Sequence, residues 1–123
     1  VDTRPAHVAH LDLESMGLGQ TGGTILVING TWSAAGAGTV AGAPRPGVRL
    51  LAWGRGRWTE LATHDETTLT TLPFTTSAAA AAALIEGSPA RVHLALVPQG
   101  TNAQGAATVD SDGLEVTVVY RLP

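Results

Sequence analysis

Apolar and polar side chains alternate along the end of the chain, over residues 110–123. One face of this segment carries large apolar or aromatic residues: Leu114, Val116, Val118, Tyr120 and Leu122. The other face carries Glu115, Thr117 and Arg121, and only Val119 breaks the pattern. Successive side chains leave opposite sides of a pleated strand, so a period of two predicts a long, half-buried antiparallel strand.

Most of the other patterned segments also predict strands. They lie at residues 8–13, 24–28, 48–53, 58–63, 67–74 and 91–97. In the segment 91–97, Val92, Leu94 and Leu96 are expected to face inward and His93 outward. Short strands separated by turn signals predict an all-β fold, an antiparallel β-sandwich of two packed sheets.

The segments 48–53 and 58–63 predict a hairpin closed by Gly54, Arg55, Gly56 and Arg57. Trp53 and Trp58 would then lie opposite each other as a cross-strand aromatic pair. A second turn is predicted at Asn29-Gly30, since both residue types tolerate positive φ.

Two further segments complete the predicted organisation. Residues 33–47 contain Ala, Gly and Pro without a period, which predicts a long exposed loop and, at that length, an interaction element. Ser77 precedes an alanine run that ends near Gly87, which predicts one short helix at residues 78–86 with an N-cap and a glycine stop.

The composition restricts the function classes. At 123 residues the chain is expected to form a single domain, 1–123, with a core of its own. It contains no cysteine, its seven basic residues are all arginine, and its net charge is −3. Nucleic-acid binding leaves a basic footprint, which is missing here. No apolar run approaches the roughly 20 residues of a membrane helix, and the beginning of the sequence lacks a signal-peptide pattern.

Two segments resemble galactose-binding-like, jelly-roll modules of phage virion proteins and bacterial surface proteins. One is the hairpin of residues 51–61, LAWGRGRWTEL, and the other is the pair of strands at 91–96 and 114–120. The resemblance implies a jelly-roll sandwich whose role is structural or sugar-binding. It does not cover residues 36–47.

Titratable clusters give no catalytic constellation. His7 and His10 are three residues apart, so on a strand they point to opposite faces and do not chelate one metal. His64, Asp65 and Glu66 form a polar cluster without a nucleophile or oxyanion donors. The expectation is that the protein is not an enzyme.

The expectation for cofactors is none, apart from a possible structural calcium ion. Galactose-binding-like modules often hold such an ion, and the resemblance implies Asp110 and Asp112 as candidate ligands, with Asp65 or Glu66 as further ones. Aspartate and glycine are also ordinary turn residues, which is the competing interpretation.

Tryptophans are the best candidates for ligand binding. Sugars stack their C–H faces on exposed indoles, and a lectin-like site would use Trp53 and Trp58 with Arg55, Arg57 and Glu60, and Trp32 as a further ring. The alternative is that the rings pack on each other or in the core, because the chain has only one Phe and one Tyr.

The leading hypothesis is a non-catalytic structural module that assembles with other protein subunits, as a homo-oligomer or with capsid or tail proteins. The expected setting is a phage virion, with the chain as a head-decoration or tail-associated protein, or another extracellular surface. The residues of the predicted loop that are expected to take part in assembly are Gly36, Gly38, Gly42, Pro44 and Pro46. The alternative hypothesis is a carbohydrate-binding module of a surface or secreted protein that recognises surface glycans.

Overall fold

The computed structural model describes residues 6–12, 24–77, 80, 91–100 and 107–121. These residues form nine β-strands, which in chain order are β1 (His7–Asp12), β2 (Thr24–Ala37), β3 (Thr39–Val40), β4 (Ala43–Pro44), β5 (Val48–Gly54), β6 (Arg57–His64), β7 (Thr70–Thr75), β8 (Arg91–Pro98) and β9 (Thr108–Arg121). Every strand pair is antiparallel. The all-β prediction is therefore confirmed.

No helix is among the elements of the described residues. The predicted helix at 78–86 falls outside them apart from Ala80, whose N–H donates to Ser77 Oγ at 3.1 Å. Within the same part of the chain, no helix has the length and hydropathy needed to cross a membrane.

The strands form two main sheets and one small hairpin. The four-stranded sheet has the order β1-β8-β5-β6, the three-stranded sheet has the order β7-β2-β9, and β3 pairs with β4. The two main sheets share one apolar core, to which residues of both contribute: Ile28, Trp32, Ala34, Leu72, Phe74 and Val109 from the three-stranded sheet, and Val48, Leu50, Ala52, Val92, Leu94 and Leu96 from the four-stranded sheet. The arrangement is sandwich-like.

Alternation along β5 and β8 places every second side chain in this core. Leu50, Leu94 and Leu96 are completely buried, and each stabilises the fold by about 1.5–3 kcal/mol relative to an exposed side chain. His93, between Val92 and Leu94, is only half-buried and lies on the opposite face. The sequence-based orientation of β8 is thus confirmed.

The C-terminal strand β9 shows the predicted alternation, with one interruption. Leu114, Val116 and Val118 are half-buried, and Val119 is exposed. Trp32 of β2 pairs with Leu114, but the next residue, Ser33, pairs with Asp112. Gly113 is the extra residue of this β-bulge and has a φ of 60°.

The predicted turn at Asn29-Gly30 is wrong. Both residues lie inside β2, where Gly30 pairs with Phe74 on one side and Val116 on the other. Glycine serves close approach here, because a Cβ atom at position 30 would overlap the carbonyl oxygen of Glu115. Glycine at position 30 therefore reflects close packing between strands and not a turn.

The predicted exposed loop at residues 33–47 is also largely wrong. Residues 33–37 continue β2, and Ala34, Ala35 and Gly36 are buried. The Gly47 N–H donates to the Gly36 carbonyl at 2.9 Å, so Gly36 is part of the packed body and not of an assembly loop. In this segment, small residues without a regular apolar pattern indicate tight packing and not an exposed loop.

The exposed residues of that segment are Ala37 and residues 40–45, most of which belong to the β3–β4 hairpin. Gly42 and Pro44 are exposed, whereas Gly38 and Pro46 are half-buried. The Arg45 N–H donates to the Gly38 carbonyl at 2.8 Å and holds the base of the hairpin.

Two other boundaries differ from the sequence-based ones. The β5–β6 hairpin turns over Arg55 and Gly56 alone, with φ values of 54° and 78°, as in a type I′ turn. The strand predicted at 67–74 spans Thr70–Thr75, and Pro73 lies within it. β7 is an edge strand, where a missing N–H donor is tolerated.

Candidate binding face

The candidate site is the surface of the four-stranded sheet that points away from the core. We call it the outer face, and it consists of Val8, His10, Arg49, Leu51, Trp53, Trp58, Glu60, His93, Ala95 and Val97. Directly paired residues of antiparallel strands share a face, so the register orders these side chains into rows. One row runs across all four strands and consists of Val8, Ala95, Leu51 and Glu60.

Large apolar side chains of the outer face contact solvent. Val8 is 52% exposed and Trp58 is 44% exposed. Ala95, between Val8 and Leu51 in register, is only 4% exposed because longer neighbours cover it. The outer face therefore has apolar character in its centre, which is unusual for a sheet surface directed to water.

The predicted aromatic pair is confirmed on this face. Trp53 pairs with Trp58 across the hairpin, with ring centroids 5.3 Å apart and an interplanar angle of 65°. This edge-to-face contact stabilises the hairpin, and it leaves part of the Trp58 ring accessible. Neither ring belongs to the core.

The charged residues near the pair are divided between the two faces. Arg49 Nε donates to Glu60 Oε1 at 2.8 Å, and both side chains are about two-fifths exposed (40% and 43%). Arg57 alternates with Trp58 and so belongs to the other side of β6, and Arg55 lies in the turn. Of the predicted cluster, Trp53, Trp58 and Glu60 lie on the outer face itself, together with Arg49.

Trp32 does not belong to the site. It is 6% exposed and lies in the core, on the inner face of β2. Its predicted role as a ligand-binding ring is wrong, because the sandwich uses this large aromatic side chain to fill the space between the sheets.

His10 and His93 form a contact that local sequence patterns do not reveal. They are directly paired on β1 and β8, and their Nδ1 atoms are hydrogen-bonded to each other. The ring centroids are 4.6 Å apart and the rings are nearly perpendicular, at 80°. The pairing of β5 with β8 ends at Ala52 and Leu94, which are the chain neighbours of Trp53 and His93.

The other two histidines have structural partners. His7 Nδ1 is hydrogen-bonded to Ser111 Oγ at 2.6 Å, so His7 points inward and His10 outward, as predicted. His64 Nδ1 accepts a hydrogen bond from the Glu66 N–H at 3.0 Å, and its Nε2 donates to the Ala34 carbonyl at 2.8 Å. The neutral form with the proton on Nε2 satisfies both bonds.

Gln99 connects the segments at one end of the four-stranded sheet. Its Nε2 donates to the His64 carbonyl at 2.8 Å and to Asp65 Oδ1 at 2.6 Å, and its Oε1 accepts from Arg45 at 2.8 Å. The Gln99 N–H donates to the Gly47 carbonyl at 3.0 Å. Asp65 therefore has a structural role.

The proposed calcium ligands lie on β9. Asp110 and Asp112 are both exposed, opposite Ala35 and Ser33. In the part of the chain that the structure describes, no group of three or more His, Asp or Glu side chains surrounds one point. A shallow depression of about 280 Å³ lies nearby on the three-stranded sheet, lined by Asn29, Gly30, Thr31, Phe74, Glu115 and Thr117.

Sequence reasoning found the tryptophan pair but missed the histidine pair. Trp53 and Trp58 are joined by a short turn, whereas His10 and His93 come together only through pairing of strands at opposite ends of the chain.

No family model, no curated protein and no solved structure matches this chain.

Proposed function

We propose that the protein is a non-catalytic assembly module whose outer face binds other copies of the same chain. The observation that carries the proposal is the exposure of large apolar side chains on this face, of which Val8 on β1 and Trp58 on β6 are the most exposed. Exposed apolar surface of this kind is typical of protein–protein contacts.

The charge pattern supports contact between identical chains. Arg49 and Glu60 are paired with each other within one face, so a second copy meets no uncompensated charge from them. A two-fold interface brings the same patch of two chains together, and a patch of Trp, His, Val and Leu is compatible with itself.

In this proposal the setting is an external particle, a phage virion with the chain as a head-decoration or tail-associated protein. Its support is the resemblance of the β5–β6 hairpin and of β8 and β9 to jelly-roll, galactose-binding-like modules. The exposed β3–β4 hairpin, with Gly42 and Pro44, is a secondary contact with neighbouring subunits.

The test is the molar mass in solution, measured by size-exclusion chromatography with light scattering over a range of concentrations. We expect a multiple of the 12.5 kDa chain mass for the unaltered protein. The double variant Val8→Thr/Trp58→Thr should be a monomer, because it removes the two most exposed apolar side chains of the outer face. A protein that stays monomeric up to about 1 mM, a concentration that detects even weak association, would contradict the proposal.

Leu69→Thr is the matched control. Leu69 is 53% exposed and lies between β6 and β7, away from the outer face. Its replacement removes a similar exposed apolar side chain and should leave the molar mass unchanged. Equal dissociation by this control would assign the effect to general surface hydrophobicity instead.

A second candidate function is carbohydrate binding by the Trp58 ring. The observation that favours it is the accessible indole beside the Glu60 carboxylate on the same face of β6. A glycan array with Trp58→Ala and Trp58→Phe tests it, since a phenyl ring retains stacking and a methyl group does not. Loss of glycan retention in the alanine variant alone supports this function.

A further inference from the structure

We propose that His10 and His93 bind a divalent transition-metal ion on the outer face, with Cu²⁺ as the preferred ion. Both ligands come from one chain, so a single copy can bind the ion, whereas assembly through the outer face covers the site. The inference rests on the direct register pair of the two histidines and on the contact of their Nδ1 atoms.

The strand pairing holds the two imidazoles in place before any metal arrives. His10 and His93 are direct partners in the β1–β8 register, and their backbones are fixed by the hydrogen bonds of neighbouring pairs on both sides. Directly opposite side chains on one face lie about 4.5–5.5 Å apart at Cβ, which is within reach of a shared ligand. The backbone therefore needs no rearrangement for both rings to meet one ion.

The chemistry of the contact allows a metal ion to take the place of the shared proton. In the hydrogen-bonded pair one Nδ1 carries a proton and the other offers a lone pair to it. When the ion binds, that proton moves to Nε2 of its own ring by exchange with solvent, and rotation of the two rings directs both Nδ1 lone pairs at the ion. Both imidazoles are then neutral ligands, and binding to a neutral pair releases no net proton.

The ligand type selects among metals. Imidazole nitrogens suit Zn²⁺, Cu²⁺ and Ni²⁺, and Cu²⁺ binds most tightly in the divalent series.

The remaining coordination positions face water. His10 is exposed and His93 is half-buried, so solvent molecules complete the coordination sphere. Two protein ligands give a weaker site than the three or four of a dedicated metalloprotein. The expected role is reversible metal binding at a surface.

The experiment is a Cu²⁺ titration of the full chain, followed by tryptophan fluorescence and by electron paramagnetic resonance. We expect saturable quenching with one ion per chain, because Trp53 and His93 are the chain neighbours of the paired residues Ala52 and Leu94. The resonance spectrum should show coupling to two nitrogen atoms. His10→Gln and His93→Gln should each lose affinity by at least tenfold.

His7→Gln is the matched control, since His7 lies on the same strand but points to the inner side. It should bind Cu²⁺ like the unaltered chain, and circular dichroism should show that all three variants are folded. The proposal is overturned if either outer-face variant binds as tightly as the unaltered protein, if the control loses as much, or if the spectrum shows no nitrogen pair. A monomeric chain that binds Cu²⁺ supports this proposal while contradicting the assembly function.

Discussion

At the scale of single residues, Gly47 shows how tightly the start of β5 is packed. Its N–H and carbonyl groups are hydrogen-bonded to Gly36 and Gln99, and its φ is 103°. A Cβ atom there would overlap the carbonyl oxygen of His64. Backbone conformation and lack of space both require glycine at this position.

We expect Gly47→Ala to lower the free energy of unfolding by more than about 3 kcal/mol, because positive φ alone costs about 1–2 kcal/mol and the overlap adds to it. Gly56→Ala is the control: Gly56 also has a positive φ, 78°, but nothing lies within 4 Å of a Cβ atom there. It should lose only about 1–2 kcal/mol. Urea denaturation measures both, and equal losses would show that space at Gly47 is irrelevant.

Thr76 is buried, and its hydroxyl group accepts a hydrogen bond that a backbone carbonyl would accept in a regular strand pair. Its Oγ1 accepts from the Ile28 N–H at 3.1 Å, directly after β7 ends. Thr76→Val keeps the shape but leaves this buried N–H without its acceptor, so we expect a loss of about 1–3 kcal/mol. Thr76→Ser retains the acceptor and should lose clearly less. Thermal or urea unfolding compares them, and a valine variant as stable as the serine variant would refute the argument.

At the scale of elements, the sequence predicted the strands whose side chains alternate in size and polarity. β9 and the β5–β6 hairpin follow directly from their patterns. The second half of β2 did not, because Ala34, Ala35 and Gly36 lack the large apolar side chains by which buried strands are identified. A buried strand made of Ala and Gly has the same composition as a loop. Composition alone therefore does not distinguish the two.

We expect the aromatic contact to stabilise the hairpin more than the ion pair does. A double-mutant cycle on Trp53 and Trp58 should give a coupling of about 0.5–1.5 kcal/mol. The cycle on Arg49 and Glu60 should give at most about 0.5 kcal/mol, since both side chains are about two-fifths exposed (40% and 43%) and solvent weakens their attraction. Chemical denaturation of the single and double variants measures both couplings, and the reverse order would be inconsistent with this account.

At the scale of the whole molecule, the sequence could not predict which strands become neighbours. β1 lies beside β8, and this non-local pairing creates the His10–His93 contact. The tryptophan pair could be predicted because a short turn determines its register. Hence the sequence predicted the tryptophan pair, which depends on one hairpin. It did not predict the histidine pair, which depends on the order of the strands in the sheet.

The proposed assembly should be nearly insensitive to salt. The outer face consists mainly of apolar and aromatic side chains, and its charged residues Arg49 and Glu60 neutralise each other. Raising NaCl from about 0.05 M to about 0.5 M should change the dissociation constant less than about threefold, because screening acts only on charges. Sedimentation equilibrium at both salt concentrations measures it. Weakening by about tenfold or more would indicate that ionic contacts hold the subunits together.

Pro73 and Gly113 have a joint consequence for behaviour at high concentration. The two edge strands of the three-stranded sheet are β7 and β9. Pro73 removes an N–H donor from β7, and Gly113 forms the bulge in β9. At these two positions an incoming polypeptide therefore meets an interrupted ladder of donors and acceptors. We expect the three-stranded sheet not to extend from either border into amyloid fibrils.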